Sequence, residues 1–316
     1  MANPWEADIA VTKELAARLI CTQFTDLHGT LEPFGNGWDN TAFLLCRQWV
    51  FRFPRRKCAV DLLAGELRVL PTLAPLLPIP VPAPVFVGTA TAEYPYPFFG
   101  YRLIAGTTAD RARLDDAARC ALAGPLADFL RVLHAIPLTV ADGLGIPGDA
   151  FGRLAVDQCL PRARERLDGL IARGDATPAQ VGVLGDIMDA ARGCRPAAAT
   201  CILHGDLYMR HLIVDAGGLR GIIDWGDCHR GDPAMDLGMV FAALPAQGQE
   251  IFAEHYGPIA ADTRALARFR AVVVLGHLSA FAHDIGDADL VAELRYAVGV
   301  LADGKDPGHA PAISNR

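Results

Sequence analysis

The 316-residue chain is most informative at first through what it lacks. It has eight cysteines but no C-x-x-C pair among them, which removes the usual support for a zinc site. Spaced this way in a chain of this length, they are expected as reduced thiols, mostly buried as small hydrophobes. No basic stretch followed by an apolar one opens the chain, where Glu6 and Asp8 stand instead, so a secretory leader is not expected and a cytoplasmic location is. The most apolar region, 70–87, is interrupted by Pro71, Pro75, Pro78, Pro80, Pro82 and Pro84, and no other segment is expected to reach membrane-spanning length. Nor is there a repeat or a low-complexity tract.

Positive charge is also short. The net charge is −7, and its distribution is uneven. Up to Gly106 nine basic residues balance nine acidic ones; from Thr107 onward twenty face twenty-seven. An acidic second part excludes a phosphate-backbone partner and is compatible with a cationic small molecule, although solubility explains it equally well. What remains is a chain with 52% apolar residues, long enough for two cores.

Periodicity divides it. Residues 6–22 are expected as an opening helix, followed by a turn cluster at 35–40 and two β-like runs at 41–45 and 49–53. A short amphipathic helix over 61–70 is expected to stop at Pro71, and a further β-like run covers 98–104. Strands with one helix among them make a small α+β unit. After Gly106 the pattern turns helical. Asp115 or Asp116 can cap a helix carrying Leu122, Leu126, Phe129, Leu130 and Leu133, with a kink or restart at Pro125. Two more helices are expected within 150–193 and two or three within 260–302.

Between those helical stretches lies 200–240. A short apolar run, 201–203, leads into His204-Gly205-Asp206, and a hairpin of 211–215 and 219–223 runs into Asp224-Trp225-Gly226-Asp227. A tight hairpin brings its ends together, so Asp206 and Asp224 can face one cleft. Two such carboxylates suit phosphoryl transfer, one as proton acceptor and one as magnesium ligand. Each alone is ordinary turn or cap chemistry.

The ordered set HGDLYMRHLIVD, IIDWGD and GDPAMDL resembles the catalytic core of the aminoglycoside and macrolide phosphotransferases, whose fold is protein-kinase-like. Upstream, GNGWDN is similar to that family's nucleotide-covering loop, VFRFPRR to its third strand, GELRVL to the helix with the partner glutamate, and YRLIAG to its hinge. The resemblance spans about 30–240 and implies a two-lobed α+β fold. A sheet-rich N-terminal lobe would cover 1–101, a hinge 102–106, and a mainly helical C-terminal lobe 107–316. It implies a kinase that moves the γ-phosphate of ATP or GTP, with Mg2+, to a hydroxyl of an aminoglycoside- or macrolide-type antibiotic.

Carried over by residue, Asp206 is the base and His204 orients its loop. Asp224 is the metal ligand, and Asp236 braces the loop. Glu66 would hold the phosphate-binding cation, and Gly37, Trp38, Tyr101, Arg102, Leu103 and Ile104 would surround the nucleotide. Two positions depart from the family's usual pattern: Arg52 stands where a lysine is expected, in a chain with only three lysines, and His211 where asparagine is the second metal ligand. Macrolide phosphotransferases resemble this chain at both. Tyr101 falls at the gatekeeper, where bulk accompanies GTP use in related enzymes; core packing is its other role. Asp227 would meet substrate or metal. Glu254, Asp284 and Asp287, with Asp289 and Glu293, could grip ammonium groups of a cationic acceptor, or simply form a solvated helix face. A metabolite kinase for a sugar, choline or homoserine would keep the same core, and a nucleotide-binding pseudokinase is the remaining alternative.

Overall fold

The computed structural model describes residues 7–197 and 200–304. Helix α1 (Lys13–Gln23) begins where the Thr12 side chain accepts the Leu15 N–H (3.2 Å), so the expected opening helix starts later and position 6 lies outside the described residues. Strands β1 (Leu31–Asn36), β2 (Asn40–Leu45) and β3 (Trp49–Pro54) form an antiparallel meander. Helix α2 (Cys58–Leu73) follows, then β4 (Pro84–Gly88) and β5 (Phe98–Arg102), giving the sheet order β1-β2-β3-β5-β4.

Alternation along β3 sets the use of its two faces. Phe51 and Phe53 join Phe43, Phe98 and the α1 side chains Leu15, Leu19 and Ile20 in one core. Val50 turns the other way, to Leu63 of α2 and to Phe99 and Tyr101 of β5. Arg52, two residues on, shares that face and so is delivered to α2.

Helix α2 does not stop at Pro71 as expected. It runs to Leu73 because a proline in the last turn forfeits one backbone bond while the buried Val69, Leu70 and Leu73 keep the turn packed.

The rest is mainly helical. After the short β6 (Thr107–Thr108) come α3 (Asp116–Ala135), α4 (Leu138–Gly143), α5 (Val156–Ala172) and α6 (Pro178–Ala190). Asp115 caps α3 by accepting the Ala118 N–H (2.8 Å), and the helix runs unbroken through Pro125, with no restart, because its buried stripe from Leu122 to Leu133 is continuous on both sides. Next come β7 (Cys201–Leu203), β8 (Leu212–Asp215), β9 (Gly218–Ile222) and β10 (His229–Gly231). The expected hairpin is the pair β8–β9, and β7 pairs with β10. Helices α7 (Ala234–Ala243), α8 (Ala246–Tyr256), α9 (Ala261–Asp284) and α10 (Ala288–Asp303) complete the fold. Contrary to the sequence expectation, α9 is long and apolar enough to cross a membrane; here it is a core helix packed on α5, α6, α7 and α10.

Candidate active site

Strand β7 is buried, and the chain leaves it through a turn that only glycine permits. Gly205 has φ +90°, and a Cβ there would lie 2.1 Å from the Asp227 carbonyl oxygen. The turn is held from below by Asp236, on the first turn of α7. Its carboxylate accepts the backbone N–H groups of His204 and Gly205, both at 2.8 Å, and a third bond from His134 Nε2 at 3.2 Å. Burial by itself would raise the Asp236 carboxyl; the hydrogen bond and charge of His134 lead the opposing interactions and hold it below the usual range.

His204 is fully buried and does not line the cleft. Nε2 donates to the Ile223 carbonyl (2.9 Å) and Nδ1 accepts the Asp206 N–H (3.3 Å), while burial lowers its pKa, so the ring stays neutral and orients the loop. Asp206 itself, with 37% of its side chain exposed, faces the cleft.

The hairpin returns the chain to the same place. Asp224 sits in the left-handed region (φ +67°), an uncommon conformation for a non-glycine residue, and turns a half-exposed carboxylate into the cleft. Arg52 Nη2 donates to its Oδ1 (3.1 Å). Burial acts to raise this carboxyl, and Arg52, followed by His211, brings it below the ordinary value. His211 uses Nδ1–H to donate to the Asp206 carbonyl (2.6 Å) and turns Nε2 towards Asp224 Oδ2 at 3.5 Å.

Among the described residues no three His, Cys, Asp or Glu side chains are grouped to hold a metal alone. A hard divalent ion that takes one or two carboxylates and completes its shell with phosphate oxygens and water fits this donor set.

Arg52 and Glu66 meet as the strand parity demands, Nη1 to Oε2 at 2.6 Å, with both side chains buried. Burial works against the charge on Arg52, but Glu66 and Asp224 outweigh it and its pKa is raised. Burial pushes the Glu66 carboxyl up to about 7 against the pull of Arg52. One guanidinium therefore bridges two carboxylates through separate nitrogens.

These residues line one cavity of about 850 Å3, and the sequence expectations divide over it. Arg52, Glu66, Trp38, Asp206, His211, Asp224 and Asp227 are on its wall. Trp38 stacks on Phe281 of α9, with ring centroids 4.7 Å apart, so the β1–β2 loop reaches across the cleft. Gly37 is not on the wall; its N–H closes the turn to Asn40. The stretch from Tyr101 to Ile104 is off the wall too. Tyr101 packs in the sheet core, where burial pushes its phenol up to about 12; Arg102 is exposed, Leu103 N–H donates to Gln48, and Ile104 packs on Gly221.

The acids expected to grip a cationic acceptor are elsewhere. Asp287 caps α10 and pairs with Arg210, Asp289 pairs with Arg113, Glu293 with Arg119, and Glu254 and Asp284 are exposed away from the cavity. Asp287 serves as a helix cap, Glu293 is held in a buried ion pair with Arg119, and Asp289 pairs at the surface.

Sequence reasoning missed the opposite wall. Arg153 pairs with Asp227, Arg270 stands 3.7 Å from Asp206, and Arg162, Arg166 and His277 complete that side. Arg162 and Arg166 are one helical turn apart on α5, a weak signal in a chain rich in arginine.

Comparison with known proteins agrees with this architecture. The model of the phosphotransferase enzyme family matches residues 30–271. No curated protein matches the sequence. Wild-type aminoglycoside 2'-phosphotransferase-IIIa, solved with GDP, superposes with a TM-score of 0.67 at 24% identity, covering 93% of this chain and 99% of its own. The GDP and kanamycin complex of APH(2")-IIia gives 0.67 at 24%, covering 91% and 97%. The apoenzyme of a macrolide 2'-phosphotransferase from Brachybacterium faecium gives 0.59 at 25%, covering 93% and 98%.

Proposed function

The chain belongs to the phosphotransferase enzyme family, and from that premise we propose that it transfers the γ-phosphate of ATP or GTP to a hydroxyl of a small molecule. The observation that carries this is the convergence of Asp206, Asp224 and the Arg52–Glu66 pair on one cleft. Asp206 accepts the proton of the attacking hydroxyl, whose oxygen bonds to the γ-phosphorus as the bond to the β–γ bridging oxygen breaks and nucleoside diphosphate leaves. Arg52, fixed by Glu66, grips phosphate oxygens with its planar fork in the role a lysine has in most relatives. Mg2+, held by Asp224 beside His211, would neutralise the phosphates. His204 keeps Asp206 in register with the hairpin that ends at Asp224.

The residues 102–106 would serve as a hinge between the sheet-rich lobe that ends at 101 and the helical lobe that begins at 107. Kanamycin in one neighbouring complex and macrolides in the name of another put hydroxylated antibiotics in the first test panel; metabolites belong beside them, because the same core residues serve both. The test is phosphoryl transfer from labelled ATP and GTP, with Mg2+, to aminoglycosides, macrolides and common hydroxylated metabolites. Labelled product with at least one alcohol is expected. Nucleotide binding with no transfer and no metal-dependent hydrolysis would instead establish a pseudokinase.

A further inference from the structure

The charges on the cleft wall do not balance in the sense a cationic acceptor requires. Five carboxylates line it, and each has an arginine: Asp39 has Arg56, Glu66 and Asp224 share Arg52, Asp227 has Arg153, and Asp206 has Arg270 at 3.7 Å. Arg162 and Arg166, also on the wall, have no ion pair among the described residues. Arg166 Nη1 instead donates to His277 Nδ1 (3.1 Å), a bond that only a neutral imidazole can accept. His277 is correspondingly pushed down to about 4, first by burial and then by Arg166 and Arg270. Burial and the neighbouring Arg162 likewise lower Arg166. Positive charge is therefore concentrated here without a protein counterion.

This patch is built by close helix packing. A Cβ at Gly276 of α9 would lie 2.9 Å from Arg166 Cβ, so the glycine lets α5 lay its arginines against α9. Arg270 and His277 are on the same face of α9, two turns apart, which separates them by about 10 Å along the helix. Arg270 is beside the base Asp206, so His277, with Arg166 bonded to it, follows about two helical turns further along α9.

We propose that the acceptor of this enzyme is an anionic hydroxylated small molecule, whose carboxylate, sulfate or phosphate group is bound by Arg162 and Arg166. The inference rests on the phosphotransfer function proposed above and narrows its acceptor. It separates this chain from a phosphotransferase that grips ammonium groups: the carboxylates on this wall each face an arginine, and Glu254, Asp284, Asp287, Asp289 and Glu293 are not on it.

The test uses the full chain with Mg2+ and nucleotide, and matched acceptors that differ in charge: lactobionate with lactose, gluconate with sorbitol, glycerol phosphate with glycerol, and kanamycin as a cation. The expected result is a preference of about tenfold or more in kcat/KM for the anionic member of at least one pair, expressed in KM. Carboxylate and phosphate probes distinguish the type of anion. Arg166→Gln, and independently the exposed and structurally safer Arg162→Gln, should reduce that preference several-fold and leave GDP affinity as in wild type. Equal or better use of the neutral members or of kanamycin overturns the inference while leaving the phosphotransferase function intact. So does a loss of GDP affinity in the variants, which would assign the arginines to the donor. Calorimetry of the same pairs with a non-hydrolysable nucleotide reads the preference without turnover. Anion preference there with no transfer would sink the phosphotransfer function instead, and no preference would sink the inference.

Discussion

The imidazole of His204 accepts the backbone N–H of Asp206 at 3.3 Å, and its other nitrogen donates to the carbonyl of Ile223, the residue before Asp224. One buried ring thus sets the distance between the two carboxylates that the reaction needs. It is a positioning residue, and Trp225 packs edge-on against it, with centroids 4.9 Å apart. His204→Ala should lower kcat by about tenfold to a hundredfold, the scale of a misplaced catalytic group, with a smaller change in nucleotide KM. His204→Gln, which can make one of the two bonds, should recover part of the loss. An unchanged kcat in the alanine variant would show that the loop holds its geometry by other means.

Asp206→Asn and Asp224→Ala should fail differently. The first removes the proton acceptor and should cut kcat by about 100-fold or more while nucleotide affinity stays near wild type. The second removes the carboxylate proposed to hold Mg2+, and should abolish Mg2+-dependent transfer and weaken Mg2+–nucleotide binding together. Calorimetric titration of nucleotide with and without Mg2+ separates the two. Equal loss of nucleotide affinity in both variants would count against the assignment of Asp206 as base.

Arg52 and Glu66 should behave as one unit. Arg52→Ala is expected to lose nucleotide affinity and rate, Arg52→Lys to keep part of both, and Glu66→Ala to reproduce a weaker form of the arginine loss. A double-mutant cycle on nucleotide binding should give a coupling of about 0.5–3 kcal/mol, as for residues in direct contact. Strict additivity would contradict the pair.

Asp236 carries a pH dependence whose sign can be stated. Its folded pKa lies below the ordinary value of 3.8, so its contribution to stability is present above that value and is lost as pH falls through the folded pKa. Asp236→Asn should therefore destabilise the protein at neutral pH, by about 1–3 kcal/mol for the hydrogen bonds it weakens, and the deficit should shrink as pH falls below 3.8. Denaturant unfolding at pH 7 and at pH 3 tests this. A deficit independent of pH would mean that the aspartate acts by shape and not by charge.

Short-range chemistry was legible in the sequence. A strand's period of two places Arg52 on the face opposite Phe51 and Phe53, and the resemblance of GELRVL to the family's helix named Glu66, fourteen residues on, as its partner. The tight β8–β9 hairpin returns Asp224 to Asp206 because its own length leaves no alternative. The prolines were misjudged for a physical reason: Pro71 and Pro125 each forfeit one backbone bond, and burial of the neighbouring leucines offsets that loss, which is a tertiary and not a local quantity. The proposed acceptor wall was beyond reach altogether. Arg153, Arg162, Arg166, Arg270 and His277 come from segments up to 124 positions apart, and nothing local distinguishes them from the arginines that pair on the surface. Sequence determined the candidate catalytic centre, because that centre is built from two short contiguous stretches with obligatory turns. Only the packing of α5 on α9 decided the charge of the proposed acceptor site, because the sign of a cleft depends on which side chains are left without partners once the helices have met.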